Sequence, residues 1–242
     1  MCTVTYIPSP GRTFLTSNRD EKRWRSQAEA PEFHTLKTGR VLFPRDRDAG
    51  GTWFAVHENG NSLVLLNGGL CRHIPQPPYR KSRGLVLLDL VDHDDPVENF
   101  EKYDLTGIEP FTLIMHCQSG LSEGRWDGQD RKIRSLAAGL PHIWSSVTLY
   151  EPEVITRREA WFEAWIRENP SPEQEDILWF HQFTGDGDRH NDLMMNRDGL
   201  VFTVSITSLA STHTGGRLQY LDFRDQLVHD REIIYSKSLM PH

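Results

Sequence analysis

An α+β architecture, with sheets packed between helices, is what this sequence predicts. Three observations lead there. The elements run strands, two helices, strands, two helices, strands, and such segregated runs fold as packed layers. Apolar residues Val154, Ile155, Trp161, Phe162, Trp165 and Ile166 recur at helical spacing. The strand segments are β-branched and punctuated by turn residues such as Asn59-Gly60. At 242 residues the chain can bury a real core. It contains no repeat and no low-complexity linker, so residues 1–242 are expected to form a single domain.

Taken in order, residues 3–7 alternate and read as a strand, Pro8-Ser9-Pro10-Gly11 as a turn and 13–18 as the returning strand. If that turn closes a hairpin, the numbers of paired residues sum to roughly 20. Cys2 then lies near Asn18, and Cys2, Val4, Phe14, Thr16, Asn18 and Asp20 share a face. Residues 22–48 are polar and read as a long excursion with one short strand at 40–43. Strands at 53–57 and 62–66 flank a hairpin turn at Glu58-Asn59-Gly60-Asn61, where Asn-Gly tolerates positive φ. A proline-rich loop, 71–83, borders a cleft. Helices follow at 84–91 and 96–103, then strands at 111–117, 120–126, 132–136 and 142–149. The clearest helix is 151–169, stopped by Pro170. Ser171-Pro172-Glu173-Gln174 opens another with a capping box. Residues 184–191 form a polar loop. Strands at 193–196 and 200–206 flank Asp198-Gly199, and a last hairpin pairs 217–223 with 232–235.

Composition narrows the function classes. Charged residues at 25% and hydrophobics at 37% fit a soluble globular chain, and a net charge of -7 argues against phosphate-driven nucleic-acid binding. No apolar run approaches the ~18 residues of a membrane span, and the start lacks a basic region followed by an apolar stretch. Three cysteines without a paired motif fit a reducing compartment, so the cytoplasm is the expected location.

The chemistry concentrates in the first twenty-one residues. Removal of Met1 would make Cys2 the N-terminal residue. Its α-amine, with a pKa near ~7.7–8.0, and its thiol, near ~8.5, then form a nucleophile and base on one residue. Asp20, on the same expected face, can orient the ammonium. Arg19 can lower the thiol pKa or bind an acid group of a substrate.

These residues, with Gly50-Gly51-Thr52-Trp53, Leu66-Asn67 and more weakly Ser82-Arg83-Gly84, resemble the NRDE family, also called Transport and Golgi organisation protein 2-like. The strong matches cover roughly the first ninety residues; beyond them only the order of elements is similar. The resemblance implies a four-layer αββα sandwich of the N-terminal-nucleophile hydrolase type, related to cysteine amidases of the penicillin V acylase and bile-salt hydrolase kind. It gives Cys2 the role of nucleophile, Asp20 that of amine contact and Asn67 that of oxyanion donor, worth about 10²–10³ in rate. Two positions depart from the amidase pattern. An arginine three residues before the aspartate is Ser17 here, which leaves Arg19 without a matching role. A second oxyanion asparagine is replaced by Ser146.

The catalytic set expected is therefore Cys2, Asp20, Asn67 and Arg19, with Asn18, Trp53 and Ser146 at the substrate. Trp53 either lines the pocket floor or packs under Cys2. The expected reaction is cleavage of a linear amide of a small molecule, without metal or cofactor. The alternative is a non-catalytic carrier of haem or lipid in the same cleft. Asp186, Asp188 and Asp192 lack the glycine and terminal glutamate of a calcium loop, and the histidines lack zinc spacing. No phosphate loop or serine elbow occurs. Oligomeric state and substrate identity are not legible.

Overall fold

The computed structural model describes residues 3–236. The order of elements is β1 (Thr3–Ser9), β2 (Arg12–Lys22), β3 (Glu29–Thr35), β4 (Arg40–Arg45), β5 (Phe54–His57), β6 (Ser62–Asn67), α1 (Arg83–Val91), α2 (Pro96–Lys102), β7 (Phe111–Cys117), β8 (Gly120–Trp126), β9 (Arg131–Leu136), β10 (His142–Ser145), α3 (Pro152–Glu168), α4 (Gln174–Phe183), β11 (Asn196–Arg197), β12 (Val201–Ser211), β13 (Gly215–Asp222) and β14 (Leu227–Ile234).

The strands form two antiparallel sheets. One has the order β10-β1-β2-β12-β13-β14, with β11 paired to β12; the other runs β3 to β9 in sequence order. Alternation along each strand sorts side chains between two faces. From the second sheet, Leu42, Phe54, Val56, Val64 and Leu66 meet Val4, Tyr6, Leu15 and Leu209 of the first. Its other face, with Ala55, Leu63, Leu65 and Met115, packs on Val86, Leu87 and Leu90 of α1 and Phe100 of α2. Ile7 and Phe14 of the first sheet pack on Phe162 of α3 and Ile177 and Phe180 of α4. The result is a four-layer αββα sandwich.

Several boundaries differ from the expectation for identifiable reasons. β2 runs four residues past Asn18 because β12 pairs with it as far as Lys22. β3, inside the polar excursion, is an edge strand. An edge accommodates Pro31 and a register shift between Glu29 and Glu32. β12 continues to Ser211 because both neighbours pair with it that far, Thr13 of β2 and Gly216 of β13 standing opposite Ser211, and Thr16 Oγ1 lies 2.8 Å from its Ser208 Oγ. The expected strand at 193–196 is mostly a loop that buries Leu193 and Met195. The capping box of α4 uses Glu173 and Asp176, two residues beyond the expected start. No helix of the described residues is long and apolar enough to cross a membrane.

Candidate active site

The described chain opens at Thr3, paired with Asn18 on β2 and Ser145 on β10. This is one residue away from the expected register, and a one-residue slip exchanges the faces of a strand. Val4 pairs with Ser17 and sits in the core between the sheets, not on the face of Asn18. Cys2, the expected nucleophile, lies outside the described residues.

Asn18 faces α4. Its Oδ1 lies 2.5 Å from His181 Nδ1, and its Nδ2 donates to the carbonyl oxygens of Leu193 at 2.8 Å and His181 at 3.2 Å. The carboxamide expected at the substrate is thus spent on joining β2 to α4, and Asn18 is not among the residues lining the cleft. His181 is fully buried and Thr5 Oγ1 lies 2.8 Å from its Nε2. Burial, with the charge of Arg158, pushes its pKa down to about 3.

Asp20 is buried and takes two short hydroxyl bonds. Thr203 Oγ1 donates to Oδ1 at 2.6 Å, and the Tyr150 hydroxyl donates to Oδ2 at 2.6 Å. Thr203 itself accepts the amide of Met195 at 3.0 Å, which turns its proton toward Asp20. The β-bulge between Thr203 and Ser205 lies beside this carboxylate, at a place where bulges re-aim side chains.

Arg19 points the other way, into the space between the sheets. Its side chain is 4% exposed, and its Nη2 lies 2.6 Å from Asp46 Oδ2. The guanidinium carbon stands 4.3 Å from the centre of the Trp53 ring. Asp46 also accepts Arg25 Nη2 at 2.7 Å and the backbone amides of Asp48 and Ala49 at 3.1 and 2.9 Å. Burial alone would raise the Asp46 carboxyl; the Arg25 hydrogen bond, the Ala49 amide and the charges of Arg25 and Arg19 outweigh it and lower its pKa.

Two lobes of one cleft meet here, sharing Glu21, Arg25, Asn67 and Arg83 on their walls. The first, about 400 Å³, adds Arg19, Asp46, Trp53 and Glu109, with Ser82 and Gly84 from the start of α1. The second, about 380 Å³, adds Asp20, Ser146 and Thr148. Trp53 therefore lines the first lobe while stacking on Arg19. Ser146 donates its only proton to the Asn67 carbonyl at 2.9 Å. It braces the strand end that carries Asn67, and in this arrangement its proton is not offered to a ligand. Gly68 permits the brace: its φ is +87°, and a Cβ there would stand 2.7 Å from Val147 and 2.6 Å from Thr148 side chains.

The structure thus gathers Asp20, Asn67, Ser146, Arg19 and Trp53 around one cleft and sets Asn18 behind it. Sequence reasoning missed Arg25, Asp46 and Glu109, and met Arg83 only inside the weaker Ser82-Arg83-Gly84 match, without a role. Arg83 pairs with Glu109 at 3.0 Å. The only sequence signal of Arg25, Asp46 and Glu109 is charge, and charge in a polar stretch reads as solvated surface until the partner across the cleft is known. Arg157 of α3 pairs with both Asp186 and Asp188 of the loop after α4, at 3.0 and 3.2 Å.

A sequence profile of the Transport and Golgi organisation 2 family matches residues 1–191. No curated protein matches the chain. Among solved structures, a variant of the conjugated bile acid hydrolase from Clostridium perfringens superposes with a TM-score of 0.63 at 11% identity, covering 100% of this chain and 99% of that one. The Caenorhabditis elegans orthologue of N-acylethanolamine-hydrolyzing acid amidase superposes with a TM-score of 0.59 at 12% identity, covering 86% of this chain and 92% of that one. At these identities the likeness is one of fold.

Proposed function

The chain belongs to the Transport and Golgi organisation 2 family, and from that membership and the geometry of the cleft we propose that it is a cysteine amidase acting on a linear amide of a small polar molecule. The observation that carries this reading is the Asp20 carboxylate. It is buried, fixed by two hydroxyls at 2.6 Å, and it lines a cleft together with Asn67. The two neighbours whose names describe hydrolysis, of a conjugated bile acid and of N-acylethanolamines, support the reaction class.

In this reading removal of Met1 frees the amine of Cys2. The amine takes the thiol proton, and the sulfur attacks the amide carbonyl. The carbonyl oxygen becomes an oxyanion held by Asn67. Collapse breaks the C–N bond, the leaving amine takes the proton from the ammonium, and a thioester remains. Water, deprotonated by the same amine, then releases the acid and restores the thiol. Asp20 orients the ammonium throughout. Arg19 and Trp53 shape the first lobe, where the guanidinium can meet an acid group of the substrate. Walls built of ion pairs favour a polar amide over an apolar ligand, which weighs against a haem or lipid carrier.

The test is chemical. Protein from its native cells should lack Met1 by intact mass. A thiol-reactive acyl probe should label Cys2 before Cys71, which is exposed, and Cys117, which is buried and whose thiol burial pushes up. Retention of Met1 would leave no free amine and end the proposal.

A further inference from the structure

Helix α3 carries a guanidinium that the chemistry above does not use. Arg158 is 0% exposed. Its Nη1 donates to Thr3 Oγ1 at 2.6 Å, its Nε and Nη2 to the Asn191 carbonyl at 3.2 and 3.1 Å, and Nη2 also to the Asp192 carbonyl at 2.7 Å. Among the described residues it has no carboxylate within ion-pair distance, unlike buried Arg19. A cation taken out of water without a counter-charge is costly. Here charge-assisted hydrogen bonds and the face of Tyr150, 3.6 Å from the guanidinium carbon, offset that cost. Arg197 stands 5.5 Å from the same ring and donates to the Leu149 carbonyl at 2.9 Å. Tyr150 in turn donates to Asp20. One side chain thus touches the first described residue of β1 and the ring that holds the carboxylate.

We propose that Arg158 is a positioning residue, which fixes the start of β1 through Thr3 and the Asp20 carboxylate through Tyr150, so that α3 sets how the residue-2 amine meets Asp20. The inference rests on the amidase reading. A packing role alone would need neither a charge nor a fork of donors. An apolar side chain of similar volume packs without the desolvation cost. The charged and titratable groups around it are Asp20 on β2, Tyr150 after β10, Arg197 on β11, Asp192 through its carbonyl, and His181 on α4, held neutral.

The experiment measures the rate at which iodoacetamide alkylates Cys2 as a function of pH, in protein carrying Cys71→Ser. Tyr150→Phe and Arg158→Met are compared with that reference. A nearby cation favours the thiolate, and a hydroxyl bond disperses the Asp20 charge. Each substitution should therefore raise the pH midpoint of alkylation, by about one unit. Arg158→Lys, which keeps the charge, should recover part of the shift. Unmoved midpoints in folded variants, with an activated Cys2 in the reference protein, would overturn this inference alone. Retained Met1 would overturn it together with the amidase reading. If Arg158→Met does not fold, Tyr150→Phe, the loss of one hydroxyl, decides.

Discussion

At the scale of single residues, the cleft is organised by carboxylates whose partners are already in place. Asp46 holds Arg19 and Arg25 at once. Removing its charge strands a guanidinium whose side chain is 4% exposed, so Asp46→Asn should cost about 3 kcal/mol in chemical denaturation. The pH dependence has a definite sign. The folded pKa of Asp46 lies below its ordinary value. Its contribution is full above the unfolded value, near ~3.9, and is lost as pH falls through the folded one. Stability of the Asn variant should therefore fall less steeply below pH ~4 than that of the native sequence. His181 acts in a higher window. With its folded pKa pushed down to about 3, it stays neutral while the unfolded chain takes up a proton below ~6.5. The native protein should lose about 1.4 kcal/mol per pH unit from this group between pH ~6 and ~4. His181→Gln should remove that slope. If the chain is the amidase proposed, Asp20→Asn should slow acylation of Cys2 by the probe roughly a hundredfold, read by intact mass against time.

At the scale of elements, the approach of α1 to the loop before β5 shapes the first lobe. The Thr52 amide bonds to the Gly84 carbonyl at 3.3 Å. A Cβ on Gly84 would stand 2.7 Å from Thr52 O, and one on Gly51 would stand 2.4 Å from the Gly84 carbonyl carbon. Both clashes are with backbone, which cannot rotate away. Gly84→Ala should thus push α1 outward and cost about 2 kcal/mol, lowering the melting temperature. Gly139→Ala, whose added methyl meets nothing within 4 Å, serves as the control. The same scale explains which elements were legible. β7 and β8 match their predicted limits because their apolar residues and flanking turns mark both ends. β2 does not, because Arg19, Asp20 and Glu21 read as the end of a strand. They remain in it because β12 supplies backbone partners and because Thr203 and Tyr150 satisfy the charge of Asp20, and Asp46 that of Arg19.

At the scale of the molecule, the core between the sheets joins both halves of the chain, with Phe54, Val64 and Leu66 against Tyr6, Leu15 and Leu218. One domain over the whole chain is the expectation from sequence, and it predicts a single unfolding transition with coincident far- and near-ultraviolet signals. Phe54→Ala, at a position 0% exposed, should lower both together by about 3–5 kcal/mol. Two separated transitions would show instead that the layers unfold independently. The sequence by itself determined most of the element order, though not β3, the layers that follow from it and the family signature, because periodicity and short-range spacing are local properties of the chain; through that signature it named Asp20 and Asn67 as candidates, beside Arg19 and Trp53. Only the tertiary structure decided the β1–β2 register, the turning of Asn18 away from the cleft, the commitment of Ser146 to the Asn67 carbonyl and the burial of Arg158. Each of these depends on which distant group satisfies a polar atom, and a residue at position 158 meeting one at position 3 leaves no trace in the spacing of either.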